Sequence, residues 1–137
     1  MTDLKTRLPE LLSVARTAKA RAHAPYSGFQ VGAALLCVDG TIVGGCNVEN
    51  ASYPAGTCAE RVALGTAVAA GQRTFRALVI VTDAPEGTPP CGVCRQALAE
   101  FGVALVVIAV TPDGRETRWT LEQLLPHPFT PSSLRIS

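Results

Sequence analysis

The chain of 137 residues has no block of Lys or Arg, and its formal net charge is only +1. It therefore carries no electrostatic footprint for a polynucleotide, and no nucleic-acid partner is expected. Long apolar runs are also missing. The most hydrophobic stretch, residues 104–110, is far too short to span a bilayer, so no membrane partner is expected either. Asp3, Lys5 and Arg7 occupy the region where a secretory signal would need an apolar core. The five cysteines are odd in number, which suits a reducing compartment better than a disulfide scaffold and makes the cytoplasm the expected location. No internal repeat or second domain is visible. What is present is 47% hydrophobic and 17% charged, the composition of an ordinary globular protein. One domain over residues 1–137 is expected, large enough to bury roughly two-thirds of its unfolded surface.

Leu4, Leu8, Leu11, Leu12, Ala15 and Ala18 recur at helical spacing and predict an amphipathic first helix, with Pro9 in its early turns or marking a later start. Pro25-Tyr26-Ser27-Gly28 is a turn signal. Residues 29–38 and 41–48 read as two strands joined at Asp39-Gly40, with Cys37 and Cys46 as small buried residues. Helices are predicted over residues 58–70 and 91–101, each followed by a glycine, and strands over 76–82, 104–111 and 117–120. Residues 121–125 form a brief helix stopped by Pro126, and Phe129 and Leu134 are expected to anchor the tail. The β-β-α-β-α-β order predicts an α/β/α three-layer sandwich around a mixed five-stranded sheet.

Chemistry concentrates in two places. Cys91 and Cys94, three apart, lie on one helix face and can grip a single ion. Cys58, at the start of the other helix, could complete a set of three thiolates. Three protein ligands leave a tetrahedral zinc ion with an open position for water, the pattern of a hydrolytic site. Glu60 is close enough to handle protons there without being a ligand. Two alternatives remain open: a structural zinc needing a fourth ligand from Cys37, Cys46, His23 or His127, and a redox dithiol at Cys91 and Cys94. Three thiolates and Zn²⁺ sum to −1, so compensation is needed from the helix N-termini and from Arg61. Asn47 and Glu49 share one face of the second strand's end. They could converge on sugar hydroxyls or merely close a turn. Phe29, at the strand entrance, is either core or an apolar wall for a planar ligand.

The stretches Asn47-Val48-Glu49-Asn50-Ala51-Ser52-Tyr53, Cys58-Ala59-Glu60-Arg61 and Pro90-Cys91-Gly92-Val93-Cys94-Arg95-Gln96 resemble the small zinc-dependent cytidine deaminases, and Pro25-Tyr26-Ser27-Gly28-Phe29 and Val31-Gly32-Ala33-Ala34 fit as well. The resemblance implies one Zn²⁺ held by Cys58, Cys91 and Cys94, with Glu60 as the proton shuttle for deamination of free cytidine and deoxycytidine. It implies further that Asn47 and Glu49 hold the ribose, that Phe29 packs against the base, and that the backbone at Ala59 meets the pyrimidine edge. Four identical subunits would share their active sites, with Tyr53 and Phe129 reaching a neighbour's pocket. Pro89 departs from the family, where many relatives have Ser. It keeps a carbonyl but offers no N–H. Gln96 is expected to support the site from behind. Competing readings are a deaminase of another aminopyrimidine nucleoside, such as blasticidin S, and a non-catalytic module stabilised by zinc.

Overall fold

The computed structural model describes residues 3–134. Helix α1 (Leu4–Ala20) starts at Asp3, whose carboxylate accepts the Lys5 amide at 3.3 Å. Pro9 lies in its second turn, and Leu8, Leu11 and Ala15 are buried, as the periodicity predicts. The next elements are β1 (Gly32–Cys37), β2 (Ile42–Cys46), α2 (Ala59–Ala69) and β3 (Phe75–Val81). They are followed by α3 (Gly92–Ala99), β4 (Val106–Val110), β5 (Glu116–Thr120) and α4 (Leu121–Leu124). The sheet order is β2-β1-β3-β4-β5. β3 and β4 are parallel, and every other neighbouring pair is antiparallel.

Both faces of this sheet are covered, so β1 is buried along its whole length. Ala34 and Leu36 of β1 pack with Val79 and Ile108 in the cluster under α1. Ala33, Leu35 and Cys37 pack with Leu78, Ile80 and Val107 in the cluster on the opposite face, with Ala63 and Ala67 of α2 and Leu98 of α3. The three-layer α/β/α architecture is thus present, with α1 on one side and α2 and α3 on the other.

Strand β1 begins three residues later than its apolar pattern predicts. The reason is local: the Asn47 side chain accepts the Val31 amide at 2.8 Å and donates to the Phe29 carbonyl at 2.8 Å. A side-chain amide there takes the place of a neighbouring strand. The tail also departs from expectation. Phe129 and Leu134 are exposed, so neither anchors this chain from within. The brief helix α4 is held instead by a capping box: Gln123 N–H donates to Thr120 Oγ1 at 3.2 Å, and Thr120 N–H donates to Gln123 Oε1 at 2.9 Å.

Register brings three strand ends together. Gly32 at the start of β1 pairs with Cys46 at the end of β2 and with Val81 at the end of β3. The segments entering β1 and leaving β2 and β3 therefore meet at one edge of the sheet. Glycines let the helices settle there. A Cβ on Gly45 would sit 2.5 Å from the Ala59 carbonyl oxygen of α2, and one on Gly32 would lie 2.8 Å from the Lys19 amide of α1. Gly45→Ala should therefore push α2 off the sheet and destabilise the protein by about 1–3 kcal/mol or more. Urea unfolding monitored by circular dichroism measures this, and an unchanged midpoint would contradict the packing argument.

Candidate metal centre and active site

Cys58 and Cys91 are the N-cap residues of α2 and α3, one position outside the helices in which their sequence pattern placed them. This local geometry explains both motifs. An N-cap side chain and the side chain three residues later converge over the first turn, as they do in a capping box. In α3 that pair is Cys91 and Cys94, with sulfurs 3.4 Å apart. In α2 it is Cys58 and Arg61, with Nη2 directed at the Cys58 sulfur from 3.9 Å. The two helix starts face each other, and Cys58 Sγ lies 3.7 Å from Cys91 Sγ.

All three sulfurs lie within 4.8 Å of one another. Tetrahedral zinc with Zn–S bonds of about 2.3 Å places its sulfurs about 3.8 Å apart, so the cluster needs little change to hold the ion. Among the described residues no fourth donor joins this group, so His23, His127, Cys37 and Cys46 do not close the site. All five cysteines are free thiols. The Cys58 thiol is lowered to about 5, first by its hydrogen bond with Cys94 and then by Arg61. Cys94 is shifted upward because that same bond retains its proton and burial opposes its charge. One thiolate thus forms readily, and further deprotonation needs a cation among the sulfurs. Two helix N-termini add their favourable field.

Glu60, second residue of α2, is only 5% exposed, and desolvation raises its carboxyl to about 6, helped by the charge of Cys58. Its neighbour Arg61 has a buried Nε with no hydrogen-bond partner. Glu60, Cys58 and Cys91 line a cavity of about 290 Å³ together with Phe29, Asn47, Glu49, Ala59 and Pro89. The cavity is near the lower bound for small-molecule sites, about 300 Å³. Two other concavities, of about 340 and 400 Å³, lie on the outer side of Glu49 and between α1 and β2. Neither contains the sulfur cluster.

Asn47 and Glu49 share the cavity, as their alternation implies, but both also have structural duties. Asn47 clamps the segment entering β1 as described above. The Glu49 carboxylate accepts the Tyr26 and Ser27 amides at 3.0 and 3.1 Å and the Ser27 hydroxyl, and these bonds hold its pKa below the usual value. Ser27 Oγ in turn accepts the Phe29 amide at 3.0 Å. The sequence marks Ser27 only as part of a turn and of a stretch that fits the family, yet it ties the carboxylate to the aromatic wall. Phe29 is 40% exposed and presents that wall to the cavity.

Tyr53 and Phe129 do not line the cavity that holds the sulfurs. Tyr53 is exposed and makes an edge contact with Tyr26, ring centroids 6.2 Å apart. Phe129 is held through its backbone. The Gln96 side chain donates to its carbonyl at 2.8 Å and accepts its amide at 3.1 Å. Gln96 therefore ties the tail to α3 rather than supporting the cavity. The neighbouring Arg95 does support the site, donating to the Pro90 carbonyl at 2.8 Å just before Cys91.

The chain is similar in sequence and fold to known proteins. The pattern of the cytidine and deoxycytidylate deaminase zinc-binding region matches residues 5–110. The chain is 43% identical over 126 residues to a cytidine deaminase of Sporosarcina psychrophila, covering 91% of this chain and 93% of that one. It is 40% identical over 128 residues to a probable cytidine deaminase of Dictyostelium discoideum, covering 93% and 86%. The crystal structure of cytidine deaminase from Burkholderia pseudomallei superposes with a TM-score of 0.85 at 42% identity, covering 94% of this chain and all of that one.

The donor geometry predicts one zinc per chain. Cys94→Ser should lower zinc affinity by at least ten-fold, because the oxygen left in place of a buried thiolate is a poor ligand for this ion. Elemental analysis after dialysis against a graded chelator measures the loss, and undiminished retention would remove Cys94 from the ligand set.

Proposed function

The chain belongs to the zinc-binding cytidine and deoxycytidylate deaminase family, and on that footing we propose that it hydrolyses free cytidine and deoxycytidine to uridine and deoxyuridine in pyrimidine salvage. One observation carries the reading: a buried carboxylate beside three convergent sulfurs shares a nucleoside-sized cavity with Asn47, Glu49 and Phe29. Cys58, Cys91 and Cys94 hold the ion. Zinc supplies the Lewis acidity that makes water a nucleophile at neutral pH.

Glu60 takes the proton of the attacking water and gives it to N3 of the pyrimidine as the C4–O bond forms. It then takes the remaining hydroxyl proton from the attacked C4 and delivers it to the amino group, so that the C4–N bond breaks, the C4 oxygen becomes a carbonyl and ammonia leaves. Its burial suits a group that must both take and give a proton near neutrality. Arg61 offsets the negative charge of the thiolates. Phe29 packs on the base, the backbone at Ala59 meets the pyrimidine edge, and the Pro89 carbonyl accepts from the leaving amino group. Asn47 and Glu49 hold the sugar. The enzyme works in the cytoplasm as a homotetramer of single-domain subunits, with Tyr53 and Phe129 completing a neighbour's pocket. Among the described residues, no helix is long and apolar enough to cross a membrane.

Ultraviolet-monitored conversion of cytidine tests this reading. Glu60→Ala, compared with wild type at equal zinc content, should lower kcat by roughly 10²–10⁴-fold. Full activity in that variant would end the proton-shuttle assignment. Zinc-loaded wild type inactive on cytidine would turn the search to other aminopyrimidine nucleosides. Arg61→Gln should reduce activity by roughly ten- to hundred-fold with zinc still bound, the usual range for a group that supports a metal ligand. An unaffected rate would leave Arg61 without a part in the reaction.

A further inference from the structure

The loop between β3 and α3 forms one wall of the cavity through Thr88, Pro89 and Cys91. Pro89 and Pro90 have no N–H, so this stretch of backbone presents carbonyls and no donor. The Thr88 hydroxyl is the side-chain donor on that stretch, and its direction is set from behind. Thr82, just past β3, is 5% exposed. Its Oγ1 accepts the Ala84 amide at 3.0 Å and lies 3.1 Å from Thr88 Oγ1.

Among the described residues Thr88 Oγ1 is the one acceptor within reach of the Thr82 hydroxyl. Leaving a buried hydroxyl proton unpartnered is unfavourable, so Thr82 donates and Thr88 accepts. Among the described residues the proton of Thr88 then has no acceptor, while its side chain borders the cavity. The chain of donors runs one way: Ala84 amide to Thr82, Thr82 to Thr88, and Thr88 to whatever occupies the cavity.

We propose that Thr88 donates a hydrogen bond to the bound nucleoside and is a specificity-determining residue of this enzyme. The proposal rests on the deaminase reading above. It gives the wall a donor where two successive prolines remove the backbone ones. A ligand lacking an acceptor at that point would leave the hydroxyl unpaired, which is how a polar wall discriminates.

The test compares Thr88→Val, Thr88→Ser and Thr82→Val with wild type at equal zinc content, reading kcat/KM for cytidine. Thr88→Val keeps the shape and removes the donor, and should lose about ten-fold or more. Thr88→Ser restores the hydroxyl and should stay within about three-fold of wild type. Thr82→Val breaks the same hydroxyl pair but leaves the donor on the wall, and should lose clearly less than Thr88→Val. Equal losses in Thr82→Val and Thr88→Val would reduce the pair to a loop tie and overturn the proposal. So would wild-type kcat/KM in Thr88→Val, or a Thr88→Ser enzyme as impaired as Thr88→Val. A zinc-loaded wild type that leaves cytidine untouched is a separate result. It would bring down the deaminase reading, and this proposal with it.

Discussion

Three sulfurs within 4.8 Å cannot all be charged unless a cation stands among them. That constraint governs the rest of the structure. The fold brings two helix N-termini together, and at those termini the field opposes the repulsion between thiolates. Each cysteine motif starts at an N-cap, where the first turn aims a side chain and its third successor at a common point. The Cys91–Cys94 pair and the Cys58–Arg61 pair are the same geometric device used twice, once for two ligands and once for a ligand and its counter-charge.

The sheet delivers those helix starts. Antiparallel pairing of β1 with both β2 and β3 gathers three strand ends at one edge, and the loops leaving that edge carry the cavity residues. Helix α2 approaches β2 closely because Gly45 has no side chain, and α1 is seated on the other face at Gly32 in the same way. Close packing on both faces leaves the cavity edge as the place where polar side chains can be presented to a ligand.

Much of this was legible in the chain. Periodicity marked the helices and strands to within a few residues, and spacing alone grouped Cys58, Cys91, Cys94 and Glu60. What escaped was whatever depends on side chains meeting backbone across long separations. The early part of β1 looked like strand because Phe29 and Val31 are apolar, yet Asn47, sixteen residues beyond Val31, takes over its pairing. Gln96 looked like support for the site because it follows Cys94 so closely. A backbone bond to Phe129, thirty-three residues away, gives it a different task. Ser27 stood out only within a turn and a stretch that fits the family, with no sign of its own role, since that comes from where the Glu49 carboxylate folds back. Exposed Phe129 and Leu134 show the limit of reading apolar residues as anchors from hydrophobicity alone.

The double engagement of Asn47 and Glu49 has an evolutionary consequence. Both are part of the masonry of the turn as well as polar groups facing the cavity, so neither can drift freely toward a new ligand. A substitution of Asn47 would release Phe29 and Val31, and one of Glu49 would release Tyr26 and Ser27, so selection at either position meets the fold together with the cavity. Among the described residues the loop that carries Thr88 makes no such bond to this turn, its hydroxyl pairing instead with Thr82. Divergence in ligand preference therefore has an easier route through the proline-rich wall than through the residues opposite it.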